Sequence, residues 1–158
     1  SDVYKRQVVG HDKFKNNVSE SDAKAIIEVR VPAQVDDAAG KTEASTVLEK
    51  SDTVAIYGSN EFAAKAIINA NGSFKESKLG ADKILAVGFD SGALQQDAIR
   101  NGLFVGSVTQ DPIQIGYQSV KLAIEAAQGK EVKDVDTGSK WYDAKNIDSD
   151  EIKPLLYQ

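Results

Sequence analysis

Three polar side chains each come just beyond the end of an apolar run, and their chemistry suits a hydroxyl-rich small molecule. They are Asn60, Asp90 and Gln110, which follow the runs 53–58, 84–89 and 103–109. An amide both donates and accepts hydrogen bonds, and a carboxylate accepts them in the stronger, charge-assisted form. In an open α/β sheet, ligands bind in the crevice beyond the carboxyl ends of the strands. The sequence therefore predicts a binding site for a neutral polyol at that edge.

Each of these side chains also has a structural alternative. Asn60 and Asp90 stand directly before helical patterns, where Asn and Asp are preferred as N-caps. Gln110 precedes Asp111 and Pro112, which already supply an acceptor cap and a proline in the first helical position. Gln110 is therefore not needed as a cap, and three such residues at three successive strand ends favour a functional site over capping alone.

The elements that would position these residues alternate between strand and helix patterns. Apolar, β-branched runs predict strands over 25–31, 53–58, 84–89 and 103–108, and residues 132–141 are predicted to be extended. Apolar spacing of i, i+3/i+4 predicts helices over 36–50, 61–70, 93–101 and 112–128, with a short last helix within 148–157. The run 84–89 is apolar almost throughout, so we expect this strand to be buried on both faces.

This alternation predicts the fold class. Strand–helix–strand repeats require parallel pairing through right-handed crossovers. We therefore predict an α/β fold with a doubly wound, mostly parallel sheet between helical layers, in a three-layer αβα arrangement.

Composition and missing motifs exclude several classes of function. The net charge of −5 and the lack of a Lys/Arg cluster argue against nucleic-acid binding. The chain has no cysteine, His11 is its single histidine, and it lacks a nucleophile-elbow serine, a phosphate loop and GxGxxG. We therefore predict no catalysis, no cofactor and no metal. Trp141 could stack on a sugar, but its place in a late extended segment favours packing.

Two motifs resemble those of a known family. Residues 87–90 read VGFD, and residues 108–110 read VTQ and are followed by DPIQIG at 111–116. In these motifs the chain resembles the ribose-binding type of periplasmic sugar-binding proteins, which are the receptors of ABC-type uptake systems. The resemblance runs from about Phe14 to the C-terminus and covers roughly the second half of such a protein. It implies a periplasmic-binding-protein-like fold in an incomplete two-lobe protein.

The resemblance also assigns ligand-binding roles. The family has Asn-Asp after a strand where this chain has Asn60 followed by glutamate, so its ligand-binding Asn corresponds to Asn60. The aspartate of VGFD corresponds to Asp90, and the glutamine of the family's Ala-Gln pair to Gln110, although Thr109 replaces the alanine. An aromatic that often follows Pro-Ala in the family is missing after Pro32 and Ala33, so we expect no ring stacking from that side.

By the same resemblance the chain divides into unequal parts. Residues 8–110 would form the C-terminal lobe, 111–135 a piece of the N-terminal lobe after the hinge crossover, and 136–158 the return and tail. The apolar stripe of the helix in the second part would then lack its natural partner. Residues 2–7 (DVYKRQ) are what one frame of a common sequencing adapter encodes, so we expect residues 1–7 to be non-native.

The function implied is that of the substrate-binding component of an ABC-type sugar uptake system. Its partners would be a sugar or related polyol, bound between two lobes, and a membrane permease. Its location would be extracytoplasmic, as a periplasmic protein or cell-surface lipoprotein whose signal sequence is not in this fragment. The alternative is the effector-binding domain of a LacI-type sugar-responsive repressor, which shares the fold, although the tail 132–158 looks more like the receptors.

Overall fold

A computed structural model describes residues 4–9, 19, 21–23 and 25–157 of the chain. His11 and Phe14 lie outside the described residues. The strands are β1 (Tyr4–Val9), β2 (Ala25–Arg30), β3 (Ala55–Tyr57), β4 (Leu85–Phe89), β5 (Phe104–Gln110) and β6 (Ser139–Tyr142). The helices are α1 (Asp37–Leu48), α2 (Glu61–Asn71), α3 (Ala93–Arg100) and α4 (Pro112–Ala127), followed by a 3₁₀ turn at Lys153–Leu155.

The main sheet is mostly parallel, as the alternating pattern predicts. Its strand order is β3-β4-β5-β6, with β3, β4 and β5 parallel and β6 antiparallel to β5. Helices α2 and α3 make the crossovers between the parallel strands. β1 and β2 form a separate antiparallel pair; β1 lies partly in residues that we expect to be non-native, and the sequence predicts no element there. The predicted α/β class with a mostly parallel sheet and flanking helices is confirmed.

Helix packing explains why small residues recur in α1 and α2. A Cβ atom on Gly40 would lie 2.9 Å from the ring of Phe62 and 3.2 Å from Cβ of Ala66, so the two helices meet at this glycine. Ala44 and Leu48 continue the same buried side of α1. Gly40, which weakens a helix by propensity alone, therefore allows a close contact between helices. Ala44, Leu48 and Ala66 share one hydrophobic core with residues of α3 and the sheet.

The prediction that β4 is buried on both faces is wrong. Ala86 is fully buried and Gly88 is buried, whereas Leu85 is 40 % exposed and Phe89 is half-buried. Alternate residues of a strand point to opposite faces. Among the described residues, the helices that pack on the sheet bury one face of β4 and leave the other partly open.

The last third of the chain is less regular than predicted. Within 132–141 only β6 is a strand, and it begins after a turn at Gly138, whose φ is +75°. The predicted helix within 148–157 is only a 3₁₀ turn around Pro154, because proline lacks a backbone donor and polar side chains hold the backbone in turns. The Asp143 N–H donates to Oδ1 of Asn146 at 2.8 Å, for example.

Helix α4 contributes no buried residue. Its apolar stripe is exposed, as the sequence predicts, with the exposed fraction of Ile113, Tyr117, Val120 and Ile124 between 53 % and 65 %. A contiguous apolar surface of this kind favours association. In the described part of the chain, no helix combines the length and apolarity that a membrane span requires.

Candidate ligand site at the carboxyl ends of the parallel strands

The structure places the three predicted site residues at one edge of the main sheet. Asn60 lies beyond β3, Asp90 directly follows β4, and Gln110 is the last residue of β5. Because these strands are parallel neighbours, their carboxyl ends meet at the same edge. β5 is longer than the predicted strand, so Gln110 belongs to it and pairs with Ser139 of β6.

The N-terminus of α2 brings Asn60 and Asp90 together. Oδ1 of Asn60 accepts a hydrogen bond from the Ala63 N–H at 2.8 Å, so Asn60 is the N-cap. Oδ2 of Asp90 accepts from the Glu61 N–H at 3.0 Å. Both oxygens therefore satisfy backbone donors that a helix leaves without partners in its first turn, where negative charge also complements the helix dipole.

The alternative prediction, that Asp90 caps a helix, is right about capping but wrong about which helix. Asp90 does not cap the helix that follows it, because the N-cap of α3 is Gly92, which has no side chain. It instead holds the start of the neighbouring helix α2.

Oδ1 of Asp90 and the amide nitrogen of Asn60 have no hydrogen-bond partner among the described residues. These two atoms can bind a hydroxyl-bearing ligand while the caps stay intact.

Asp90 has an unusual backbone that its neighbours hold in place. Its φ is +76°, and it is the only described non-glycine residue with a positive φ. Its N–H donates to the Val108 carbonyl at 2.8 Å. Its carbonyl accepts from the Tyr142 hydroxyl at 2.8 Å and from the Ser107 hydroxyl at 2.9 Å. Gln95, which is 1 % exposed, donates to the preceding carbonyl, that of Phe89, at 2.8 Å.

Sequence reasoning missed two further residues on the rim of this site. The Glu61 carboxylate lies against Gly92, in the space that a Cβ atom on that glycine would need. Burial raises the pKa of Tyr157, the Ser91 backbone N–H lowers it, and the Asp90 and Glu61 carboxylates raise it again. The tail that carries Tyr157 is fixed by a hydrogen bond of 2.9 Å from the Gln96 amide to its carbonyl. No local motif indicates this tail contact, because Gln96 and Tyr157 are 61 residues apart.

Gln110 stands apart from the other two site residues. Its side chain is exposed, and its amide has no hydrogen-bond partner in the described part of the chain. Asp111 caps α4 by accepting from the Gln114 N–H at 2.9 Å, so Gln110 is not used as a cap, as predicted. The structure therefore brings Asn60 and Asp90 to the same helix turn and leaves Gln110 on the next strand, with its amide open to a ligand.

Trp141 packs against the sheet. Its ring lies against Gly106 of β5, where any Cβ atom would overlap it, and its Nε1 is 3.3 Å from Oδ2 of Asp143. The residue as a whole remains 42 % exposed. This position agrees with the packing role that the sequence favours. The described residues contain no group of three or more His, Asp or Glu side chains that could hold a metal ion.

Comparison with known proteins places this arrangement in a family. Residues 10–131 match the model of the periplasmic binding protein domain. Among solved structures, the chain is similar to the "ABC transporter, LacI family transcriptional regulator" from Brachyspira murdochii, with 41 % identity and a TM-score of 0.72 over 82 % of this chain and 43 % of that one. No curated protein sequence matches it.

Two further structures were solved with sugars. One is an ABC transporter solute binding protein from Agrobacterium vitis with bound D-fucose, with 28 % identity and a TM-score of 0.69 over 79 % of this chain and 42 % of that one. The other is a carbohydrate transporter solute binding protein from Agrobacterium radiobacter in complex with D-arabinose, with 26 % identity and a TM-score of 0.63 over 74 % and 40 %. The chain thus spans about two fifths of the length of these structures. The family match covers well over half of the chain, and this protein belongs to the periplasmic binding protein domain family.

Proposed function

We propose that this chain is part of the substrate-binding component of an ABC-type sugar uptake system. The observation that carries the proposal is the pairing of Asn60 and Asp90 at the start of α2, with one polar atom of each left for a ligand. The relatives with bound D-fucose and D-arabinose support a sugar or related polyol as that ligand. From the resemblance of its motifs we further propose that residues 8–110 form the C-terminal lobe, with 111–135 and 136–158 as the crossover and the return. The chain spans about two fifths of each relative, which agrees with a part of a two-lobe protein.

In this proposal the three site residues divide the hydrogen bonds to the sugar. Oδ1 of Asp90 accepts from one hydroxyl, and because the oxygen is charged this bond is the strongest of the set. The Asn60 amide nitrogen donates to a neighbouring hydroxyl oxygen. The Gln110 amide can donate and accept, and it reaches the ligand from the next strand.

Binding between two lobes explains how such a site reports its occupancy. A ligand that contacts both lobes stabilises the closed arrangement over the open one by its differential affinity. A membrane permease then recognises the closed form. The proposal includes no catalytic step, and it places the protein outside the cytoplasm, in the periplasm or at the cell surface as a lipoprotein.

A LacI-type repressor domain is the alternative with the same fold. The relative from Brachyspira murdochii is described both as an ABC transporter and as a LacI family regulator. The relatives solved with D-fucose and D-arabinose are transporter components. This supports the transport role over the repressor role.

Two substitutions at Asn60 separate its ligand role from its capping role. Asn60→Ser keeps a good N-cap but removes the amide, whereas Asn60→Ala removes both. In the full-length gene product we expect both variants to bind sugar more weakly, and only Asn60→Ala to lose about 1 kcal/mol of unfolding free energy. Calorimetric titration with a panel of pentoses and hexoses, together with urea unfolding, measures both effects. Wild-type sugar affinity in Asn60→Ser would show that Asn60 is a cap alone.

A further inference from the structure

The residue type of Asp90 does not by itself explain its backbone conformation. A φ of +76° is a left-handed conformation, which costs an L-residue about 1–2 kcal/mol even though Asp tolerates it better than most. Such conformations persist where the surrounding structure determines them, and they concentrate at functional sites. The carboxylate proposed to bind the ligand thus sits on the one described non-glycine residue held in this conformation.

Two buried hydroxyl groups hold this conformation from the same side. Tyr142 and Ser107 are both fully buried, and they lie directly opposite each other in the antiparallel register of β5 and β6. Opposed residues project from the same face of a sheet, so both hydroxyls reach the Asp90 carbonyl, at 2.8 Å and 2.9 Å. The Gln95 amide lies 3.4 Å from the same oxygen, so the two hydroxyls make the two shorter of its three hydrogen bonds.

We propose that Tyr142 is a positioning residue for the Asp90 carboxylate, an inference that rests on the proposed function. The Tyr142 hydroxyl fixes the peptide plane that follows Asp90, while the Asp90 N–H is fixed on Val108. With both planes fixed, the Cα–Cβ bond can point in only one direction. That direction places Oδ2 on the Glu61 N–H at 3.0 Å and leaves Oδ1 for the ligand.

The hydroxyl, not the ring, carries this role. The ring belongs to the hydrophobic core and would be replaced almost without change by phenylalanine. Burial raises the pKa of Tyr142 to about 12, so the hydroxyl stays protonated and remains a donor at neutral pH. Tyr142→Phe therefore removes one donor and keeps the packing.

Amide exchange tests the positioning role without any ligand. We measure exchange of the Glu61 and Ala63 amides by NMR in the full-length gene product, as wild type and as Tyr142→Phe. The Glu61 amide is held by Asp90 and the Ala63 amide by Asn60, so Ala63 is an internal control on the same helix turn. We expect protection of Glu61 to fall about two- to tenfold, the range for one lost hydrogen bond, and that of Ala63 to stay constant. Unchanged protection of Glu61 overturns the proposal.

Sugar binding supplies the second measurement. With a sugar that wild type binds, we expect Tyr142→Phe to weaken affinity about two- to tenfold, and to have no further effect in an Asp90→Ala background. Ser73→Ala, which removes an exposed hydroxyl beyond the C-terminal end of α2, should leave affinity unchanged. Lower stability with unchanged affinity would reduce Tyr142 to a core residue. If no sugar binds wild type, the proposed function fails, while the exchange experiment still decides whether Tyr142 positions Asp90.

Discussion

Gly58→Ala tests the contact that sets the start of α2, and with it the positions of the site residues. Gly58 follows β3, and its N–H donates to the Val87 carbonyl of β4 at 2.9 Å. A Cβ atom on Gly58 would lie 2.6 Å from the backbone nitrogen of Ala64, 2.8 Å from its Cα and 3.0 Å from the carbonyl carbon of Ala63. All three atoms belong to the backbone of α2, so no flexible side chain can move aside.

The cost follows from this overlap. Ordinary contacts of a Cβ atom are 3.4 Å or longer, so either α2 or the end of β3 must shift by more than half an ångström. Overpacking of this kind costs about 1–3 kcal/mol. Because domains of this size are stable by about 5–15 kcal/mol, such a loss is easily measured.

Urea unfolding followed by circular dichroism measures the effect, with Gly72→Ala as the matched control. Gly72 lies at the other end of α2 in a right-handed conformation, and a Cβ atom there would meet only atoms at 3.6 Å or more. We expect Gly72→Ala to stabilise the chain by about 0.4–1 kcal/mol, because it restricts the unfolded state. Gly58→Ala should move the midpoint in the opposite direction. Equal or greater stability in Gly58→Ala would refute the argument that space, and not conformational freedom, requires this glycine.

Three further predictions concern stability, pH and association. Asn71→Ala should lower the free energy of unfolding by about 2–3 kcal/mol in urea unfolding, because Oδ1 of the buried Asn71 accepts from the N–H groups of Lys78 and Leu79, at 2.8 Å and 3.2 Å. A loss below about 0.5 kcal/mol, the smallest effect of one hydrogen bond, would contradict this. Burial raises the pKa of Tyr142 from 10 to about 12, because the ionised phenol is disfavoured in the core. Ionisation should therefore lower the free energy of unfolding by up to about 3 kcal/mol as the pH rises from 10 through 12. Tyr142→Phe should show a shallower alkaline loss of stability than wild type, and equal slopes would contradict the assignment. The exposed apolar stripe of α4 should make the 158-residue chain associate as its concentration rises. The double variant Val120→Lys and Ile124→Lys should suppress this association in sedimentation velocity. A wild-type chain that stays monomeric would contradict the prediction.

Local signals were sufficient for the order of the elements from β2 to α4 and for the starts of the helices. Asn60 before α2 and Asp111 with Pro112 before α4 were predictable because a cap depends only on residues within one turn. The parallel pairing followed from the alternation of strands and helices. Pro154 also limited the last helix, but the turns held by Asp143 and its neighbours were not foreseen, because several side chains there compete for the backbone donors.

The position of the candidate site at the sheet edge was predictable, but the hydrogen bonds that hold Asp90 there were not. Asn60, Asp90 and Gln110 were found because each follows an apolar run. The hydrogen bond from Tyr142 to Asp90 joins residues 52 positions apart, and it depends on the register of β6 against β5, which no local pattern specifies. The positive φ of Asp90 likewise comes from tertiary contacts. The ligand-binding role of the three residues stays a prediction.

Calorimetric titration of the full-length gene product tests the central claim most directly. The sugar that binds wild type is titrated into Asp90→Ala and Gln110→Ala, with Ser73→Ala, at an exposed position beyond the C-terminal end of α2, as the control. The account predicts that each site variant loses about 1–3 kcal/mol of binding free energy for its missing hydrogen bond, that is, roughly 5- to 150-fold in affinity, and that the control binds as wild type does. Wild-type affinity in both Asp90→Ala and Gln110→Ala would contradict it.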